Sequence, residues 1–456
     1  MADKHEEKFI RMTEAPIPGL IAKLAVPCVI SMLVTAFYNM ADTFFVGQMK
    51  SNSATGAVGV VFSMMAIIQA VGFFFGHGSG NYISRELGKK NYKEAENMAA
   101  TGFFTALAAG TLIMVLGEIF LEELAYLLGS TDTILPYTMD YLKAILLGAP
   151  WITTSFVLNN QLRFQGSASY AMVGITCGAV LNIALDPLLI FEFDMGIAGA
   201  GYATVISQFV SFCVLLIGMQ RNGGIKISIR NFSFKWHYYK NIIGGGFPSL
   251  ARQGLASVAT ITLNHAAGPY GDAVIAAMGV VQRIVMFGAS AMVGFGQGFQ
   301  PFCGFNFGAG LYDRVKKGFF FSVKTSAVFL LAVSTLGFIF APDLIALFRD
   351  DPDVIKIGAT ALRFQCITFA THSWIVMSNM MTQVIGKSVQ ATFLASARQG
   401  LFFIPAVLIL SEAFGITGIQ ISQAAADFCT FLFAIPIQLK ILKETDSKII
   451  SEKETT

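Results

Sequence analysis

Residues 59–80 read GVVFSMMAIIQAVGFFFGHGSG. The stretch holds no Lys, Arg, Asp or Glu, and its apolar residues do not alternate as those of a half-buried strand would. As a helix it is about 33 Å long at 1.5 Å per residue, enough to cross a hydrocarbon core of about 30 Å. In such a core every backbone polar group must be satisfied within the segment, so a run of this kind is a helix. Slid forward by 220 positions it falls on 279–300, GVVQRIVMFGASAMVGFGQGFQ. Gly59, Val60, Val61, Gly76 and Gly78 then meet Gly279, Val280, Val281, Gly296 and Gly298.

The same offset holds outward from that stretch. Gly88 and Tyr92 meet Gly308 and Tyr312; Ile119, Phe120, Leu124 and Leu127 meet Ile339, Phe340, Leu344 and Leu347; Gly166 meets Gly386. At a shift of 219, Gly196, Gly199, Phe209 and Phe212 meet Gly415, Gly418, Phe428 and Phe431. One near-constant offset over so many segments means two homologous halves. Twelve apolar runs are expected as spans: 19–46, 54–83, 95–118, 137–160, 168–191, 197–219, 242–266, 274–302, 318–341, 355–382, 390–411 and 415–438. Six per half is an even number, so both halves enter from one side and are parallel repeats about an axis along the membrane normal. The chain divides into an N-terminal segment 1–18, an N-lobe 19–220, a linker 221–241, a C-lobe 242–440 and a tail 441–456.

Composition agrees. Of 456 residues 54% are hydrophobic and 13% charged, with a mean hydropathy of +0.63; a soluble domain carries about 25% charged residues. The 44 glycines suit close helix packing in lipid. The gaps are too short for a soluble catalytic or nucleotide-binding domain. All six cysteines lie inside apolar runs and form no disulfide or metal pattern. The N-terminus has no signal-peptide pattern.

Counting the gaps alternately gives one side Lys4, Lys8, Arg11, Lys23, Arg85, Lys89, Lys90, Lys93, Arg163, the basic linker, Arg314, Lys316, Lys317, Lys387 and the C-terminal lysines. The other receives Lys50, Lys143, Arg349 and Lys356 with most loop acids. The positive-inside rule puts both termini of a multi-pass membrane protein in the cytoplasm. Each basic cluster abuts a span, so nucleic acid is not an expected partner.

Ionisable residues inside spans are expensive and mark function by default. Asp42 lies six residues from the outer end of span 1, and Asp186 six residues before Glu192 at the outer end of span 5. Asn182 is one turn deeper on the face of Asp186, and Thr204 is eight residues into span 6. All sit at one depth, roughly 9–15 Å below the outer surface. Two carboxylates, an amide and a hydroxyl form an oxygen cage for Na⁺, or a proton site, since neighbouring carboxylates raise each other's proton affinity. The competing reading has Asp42 snorkelling to the interface and Asp186 capping a kink at Pro187.

Tyr38-Asn39-Met40-Ala41-Asp42 on span 1, Asn182-x3-Asp186-Pro187 on span 5 and the run Gly199 to Gln208 on span 6 (GAGYATVISQ) resemble the MATE multidrug exporters, and most of all their MepA-type bacterial members. The likeness covers nearly the whole chain. It implies an all-α membrane protein of twelve helices in two V-shaped lobes that exports amphipathic, mostly cationic compounds in exchange for H⁺ or Na⁺ by alternating access. It also implies a cation site at Asp42, Asn182, Asp186 and Thr204. Some members carry acids on spans 7 and 10 as a second cation site; here 244–264 and 358–381 have none.

The C-lobe is instead basic at depth, with Arg252, Arg283, Arg363 and Arg398. Its one deep acid, Asp427, is the repeat counterpart of Gln208. Arg398 is its expected partner in a pair that holds helices in register, unless Asp427 meets cationic cargo or protons. His77 aligns with Gln297, and both line or brace the cleft. Most of the 42 Phe and 19 Met fill core and face lipid; Phe37, Tyr38, Met64 and Met286 are expected to line a cavity for lipophilic cations. Asn39, Gln208, Arg283 and Asp427 complete that expected lining.

No enzyme is expected. Gly386-Lys387-Ser388 lacks the first glycine of a phosphate loop, which would fall at Met381, and there is no G-x-S-x-G. Without an ATP motif the energy comes from an ion gradient, with no cofactor beyond the coupling H⁺ or Na⁺. The expected partners are small organic cations and the bilayer, and the expected state is a monomer. The alternative is a flippase or exporter of lipid-linked or other amphipathic metabolites, for which Arg283 and Arg363 would supply cationic contacts.

Overall fold

The computed structural model describes residues 2–49, 52–221 and 224–455, with side chains 2–4, 39, 42, 43, 47, 52, 54, 55 and 451–455 outside that description. Every regular element among the described residues is helical. The first half runs α1 (Ala2–Glu14), α2 (Ile17–Gln48), α3 (Asn52–Gly88), α4 (Tyr92–Ile119), a short α5 (Leu121–Leu127), α6 (Leu135–Phe164), α7 (Ala168–Pro187) with a π-helical turn at Leu188–Glu192, and α8 (Gly196–Arg221). The second half repeats this order: α9 (Trp236–Ala267), α10 (Asp272–Gly308), α11 (Tyr312–Ile339), a short α12 (Ala341–Ala346), α13 (Pro352–Phe369), α14 (His372–Val384), α15 (Ser388–Ser396) with a π-helical turn at Ala397–Phe403, α16 (Ile404–Phe414) and α17 (Ile416–Thr455).

Ten helices among the described residues are long and apolar enough to cross a membrane. The two other expected spans differ for physical reasons. α9 carries Arg252, Gln253, Asn264 and His265, which dilute its apolar character. Span 10 is two helices, α13 and α14, interrupted at Ala370 and Thr371.

The recurring glycines have distinct causes. Gly166 (φ 78°) and Gly386 (φ 85°) turn the chain after the fourth span of each half, and Gly196 (φ 54°) and Gly415 (φ 59°) start the sixth. Left-handed backbone strongly favours glycine, so the repeat preserves it at these turns. Gly78 and Gly298 serve close approach. A Cβ on Gly78 would lie 2.3 Å from the Ile242 carbonyl oxygen, and one on Gly298 would lie 2.3 Å from the Ala25 Cα.

Those two contacts explain how the chain sorts into compact units: 1–14 with 26–246, and 15–25 with 247–456. The start of α9 packs on α3 in unit 1, and the start of α2 packs on α10 in unit 2. Each long helix changes unit beside a proline, Pro27 in α2 and Pro248 in α9. Ser31 Oγ donates to the Pro27 carbonyl at 2.9 Å, and Thr35 Oγ1 to the Ser31 carbonyl at 2.8 Å. Such back-bonds accompany bends in apolar helices.

In unit 1 the buried hub is α6, packed on α3, α4, α7 and α8. In unit 2 the matching place belongs to α13 and α14, which share α10, α11 and α17. Small residues bring the axes together, as expected where lipid supplies no hydrophobic drive between helices. Leu112, Val115, Leu116 and Ile119 leave a face of α4 exposed, which suits lipid.

Segments assigned to one side of the membrane meet one another. In unit 1, Lys90 pairs with Glu6 at 2.9 Å, and Lys8 Nζ donates to Ser167 Oγ at 2.8 Å. Burial, helped by the Arg11 charge, brings the Lys8 ammonium down to about 7. In unit 2, Lys316 pairs with Asp446 at 2.8 Å and Lys387 with Glu444 at 2.7 Å. Donation from Lys387 holds the Glu444 carboxyl below its ordinary range.

Candidate functional site

The polar cluster of unit 1 starts from the end of α7. Proline at 187 has no N–H, so the carbonyl of Ile183 loses its i+4 donor and the chain relaxes into the π-helical turn that follows. α8 then approaches that turn closely. A Cβ on Gly199 would lie 2.7 Å from the Leu189 carbonyl, and one on Gly201 would lie 2.8 Å from Ala144 and Tyr141. These glycines let Thr204 reach the face of α7 that carries Asn182 and Asp186.

The three side chains are buried, at 1% exposure for Asn182 and 0% for Asp186 and Thr204. One amide orientation of Asn182 puts Nδ2 at 3.3 Å from Asp186 Oδ1 and 3.4 Å from Thr204 Oγ1. It leaves the amide oxygen facing acceptors. Turned over, Nδ2 donates to Asp186 Oδ2 at 3.1 Å and the amide oxygen accepts from the Thr204 N–H at 3.2 Å. The second orientation gives each end of the amide a partner of the matching kind. It brings the Asp186 carboxylate, the Asn182 amide and Thr204 into one cluster. Such a set of hard oxygens can take a proton or coordinate a small cation.

Asn182 and Thr204 line a cavity of about 90 Å³ together with Tyr38, Thr35, Gln69 and Gln208. Of the expected lining residues, Tyr38 and Gln208 are therefore placed at this cluster. Met64 is not in that lining but in the apolar core with Ile68 and Ile145. His77 is 2% exposed; its Nδ1 lies 3.2 Å from the Phe73 carbonyl, and its ring stacks on Phe73 at 5.2 Å. Phe37 is 56% exposed. Asp42 and Asn39 lie outside the described side chains.

In unit 2, Met286 and Arg283 are exposed and Gln297 is buried. Asp427 is 1% exposed. Its Oδ1 accepts from Arg398 Nε at 2.8 Å and Gln423 Nε2 at 2.9 Å, and its Oδ2 lies 2.8 Å from His372 Nε2. The Arg398 partnership is the one the sequence suggested. His372 went unnoticed there. Its signal was a polar residue at the break between α13 and α14, where a span would otherwise continue. Arg163, counted among the loop cations, is 3% exposed and hydrogen-bonds Asn160.

The family model described as MatE matches residues 27–188 and 248–437. The chain is 27% identical over 436 residues to the multidrug export protein MepA of Staphylococcus aureus (strain MSSA476), covering 95% of this chain and 96% of that one. It is 27% identical over 429 residues to MepA of Staphylococcus haemolyticus (strain JCSC1435), covering 94% of each. A crystal structure of MATE in complex with MaL6 superposes with a TM-score of 0.90 at 24% identity, over 96% of this chain and 99% of that one. An outward-facing multidrug resistance MATE family transporter does so at 0.91 and 24% identity, over 96% and 98%. At that identity the superpositions speak for the fold.

Proposed function

This chain belongs to the MatE family, and from that premise we propose that it exports amphipathic, mostly cationic compounds across the bacterial plasma membrane in exchange for H⁺ or Na⁺, by alternating access. The observation that carries the reading is the buried Asn182–Asp186–Thr204 cluster on a cavity in unit 1. Desolvating an ionised carboxylate in an apolar span costs several kcal/mol. Binding of the coupling cation, with Asp42 as second carboxylate, relieves that cost. Its release restores a negative site that attracts cationic cargo. Ion and cargo thus compete for one charge, and competition at one site gives antiport. The MepA relatives support multidrug cargo, and the acidic cluster favours cations over the phosphate groups a flippase would handle.

The experiment is ethidium exchange in vesicles holding the purified protein, with a pH gradient and a Na⁺ gradient imposed separately. The expected result is uphill ethidium movement under one of the two gradients. Movement under neither, with a vesicle proton leak too small to collapse the gradient, would sink the antiport reading.

A further inference from the structure

One face of α4 is a shallow groove lined by Phe104, Leu107, Ala108, Thr111, Leu112 and Val115. The spacing i, i+3, i+4, i+7, i+8, i+11 keeps all six on one side of the helix. The hydroxyl among them is satisfied within the helix, since Thr111 Oγ1 donates to the Leu107 carbonyl at 2.8 Å. The groove therefore asks for no polar partner. From Phe104 to Val115 it runs about 16 Å. That is close to half of a hydrocarbon core of about 30 Å, the reach of one acyl chain.

The Phe104 end of the groove meets the segment 229–236. Ser233 N–H donates to Thr101 Oγ1 at 3.2 Å, and Lys93 Nζ donates to Asn231 Oδ1 at 2.8 Å, so the segment is pinned to α4. The Phe104 ring meets Phe232 edge-on at 6.1 Å, and Phe232 meets Phe234 at 4.7 Å. The apolar wall thus continues into Phe234, 84% exposed, beside Trp236 at 69% and Ile229 at 65%. Arg230 and Lys235 are exposed between them, and neither forms an ion pair with a described residue. The nearby acids are engaged: Glu94 accepts from Tyr238 at 2.8 Å, and Glu96 accepts from Asn231 at 3.3 Å and lies 4.0 Å from Lys93. The far end of α4 is acidic instead, with Glu118, Glu122 and Glu123. Exposed aromatic rings among cations, at one end of a span, suit an interface with anionic headgroups.

We propose that this face of α4, with residues 229–236, binds one anionic diacyl phospholipid. An acyl chain lies in the groove, Phe234 and Trp236 flank the glycerol, and Arg230, Lys235 and Lys93 face the phosphate. Charge is what separates this site from the rest of the lipid boundary. The site rests on α4 crossing the membrane and does not involve the Asn182–Asp186–Thr204 cluster.

The test uses Trp236 itself. The chain has three tryptophans, so wild-type emission minus that of Trp236→Phe reports this one. The protein is placed in phosphatidylcholine vesicles, with brominated phosphatidylglycerol added in one series and brominated phosphatidylcholine in another. Trp236 should be half-quenched at a mole fraction of the anionic lipid about tenfold lower. Arg230→Gln/Lys235→Gln should bring the two curves within about twofold. Ala108→Phe, which fills the groove at an exposed position, should weaken quenching by the anionic lipid and leave that by phosphatidylcholine unchanged. Equal quenching of the wild type by the two lipids overturns the site and leaves an ordinary lipid boundary. Quenching by neither would mean that protein, such as a second copy of this chain, covers the face. Loss of the preference in millimolar inorganic phosphate, with Ala108→Phe behaving as wild type, would reduce the site to a free-anion contact without the groove. None of these readouts uses ethidium exchange, so the outcome is separate from that of the antiport reading.

Discussion

Asn182 shows how one amide organises a charge. By donating to Asp186 and accepting from the Thr204 N–H, it ties α7 to α8. In unit 2, Arg398, His372 and Gln423 surround both oxygens of Asp427. That saturation reads as a brace across α14, the π-helical turn and α17. Asp427→Asn should therefore destabilise the protein by about 3 kcal/mol, because it strands a largely buried guanidinium. A lower melting temperature in detergent checks this; an unchanged melt with lost export would make Asp427 a cargo contact instead. Lys8 supplies a pH dependence outside the membrane. Its docked pKa is about 7, below the ordinary 10.5, because burial disfavours the ammonium. The undocked helix binds more protons between these values, so docking of α1 strengthens as pH rises from about 7 to 10.5, and this contribution is absent below 7. A nitroxide at Met12→Cys, buried in the docked helix, should lose mobility across that range. Adding Lys8→Met should flatten the curve, and a flat curve with Lys8 present would contradict the linkage.

At the scale of helices, two long elements change unit beside their prolines, and glycines on α3 and α10 receive them. Gly78→Ala should cost about 3 kcal/mol, the upper range for overpacking, since the obstacle is a backbone carbonyl that cannot swing away. Gly254→Ala, with open space around its Cβ, should be neutral or stabilise α9 by up to about 1 kcal/mol. Thermal melts of the two variants check this, and equal melts would contradict the close-approach role of Gly78. Much of this level was legible in the sequence. Span length and the 220-residue offset encode membrane crossing and repetition, and Gly166, Gly386, Gly196 and Gly415 recur because their turns need positive φ. The exchange of α2 and α9 between units was not legible, because hydropathy records that a segment crosses, not which bundle it packs on.

At the scale of the molecule, what the sequence could not give is rotation. A helix apolar nearly all round carries no signal for which face meets a neighbour. The pairing of His372 with Asp427, 55 residues away, was invisible for that reason. Asn182, Asp186 and Thr204 were legible because acids and amides at matching depths in apolar runs are rare and costly. In the proposed antiport that cluster converts an ion gradient into export, and Asp186 is its buried charge. The most direct measurement is gradient-driven ethidium exchange by Asp186→Asn in vesicles, against wild-type protein at equal reconstituted amounts. The substitution keeps size and removes the charge. The expected result is loss of gradient-driven exchange, at least a hundredfold, with the variant still folded by its melting curve. Exchange at the wild-type rate would mean that Asp186 only caps the kink at Pro187 and that coupling resides elsewhere.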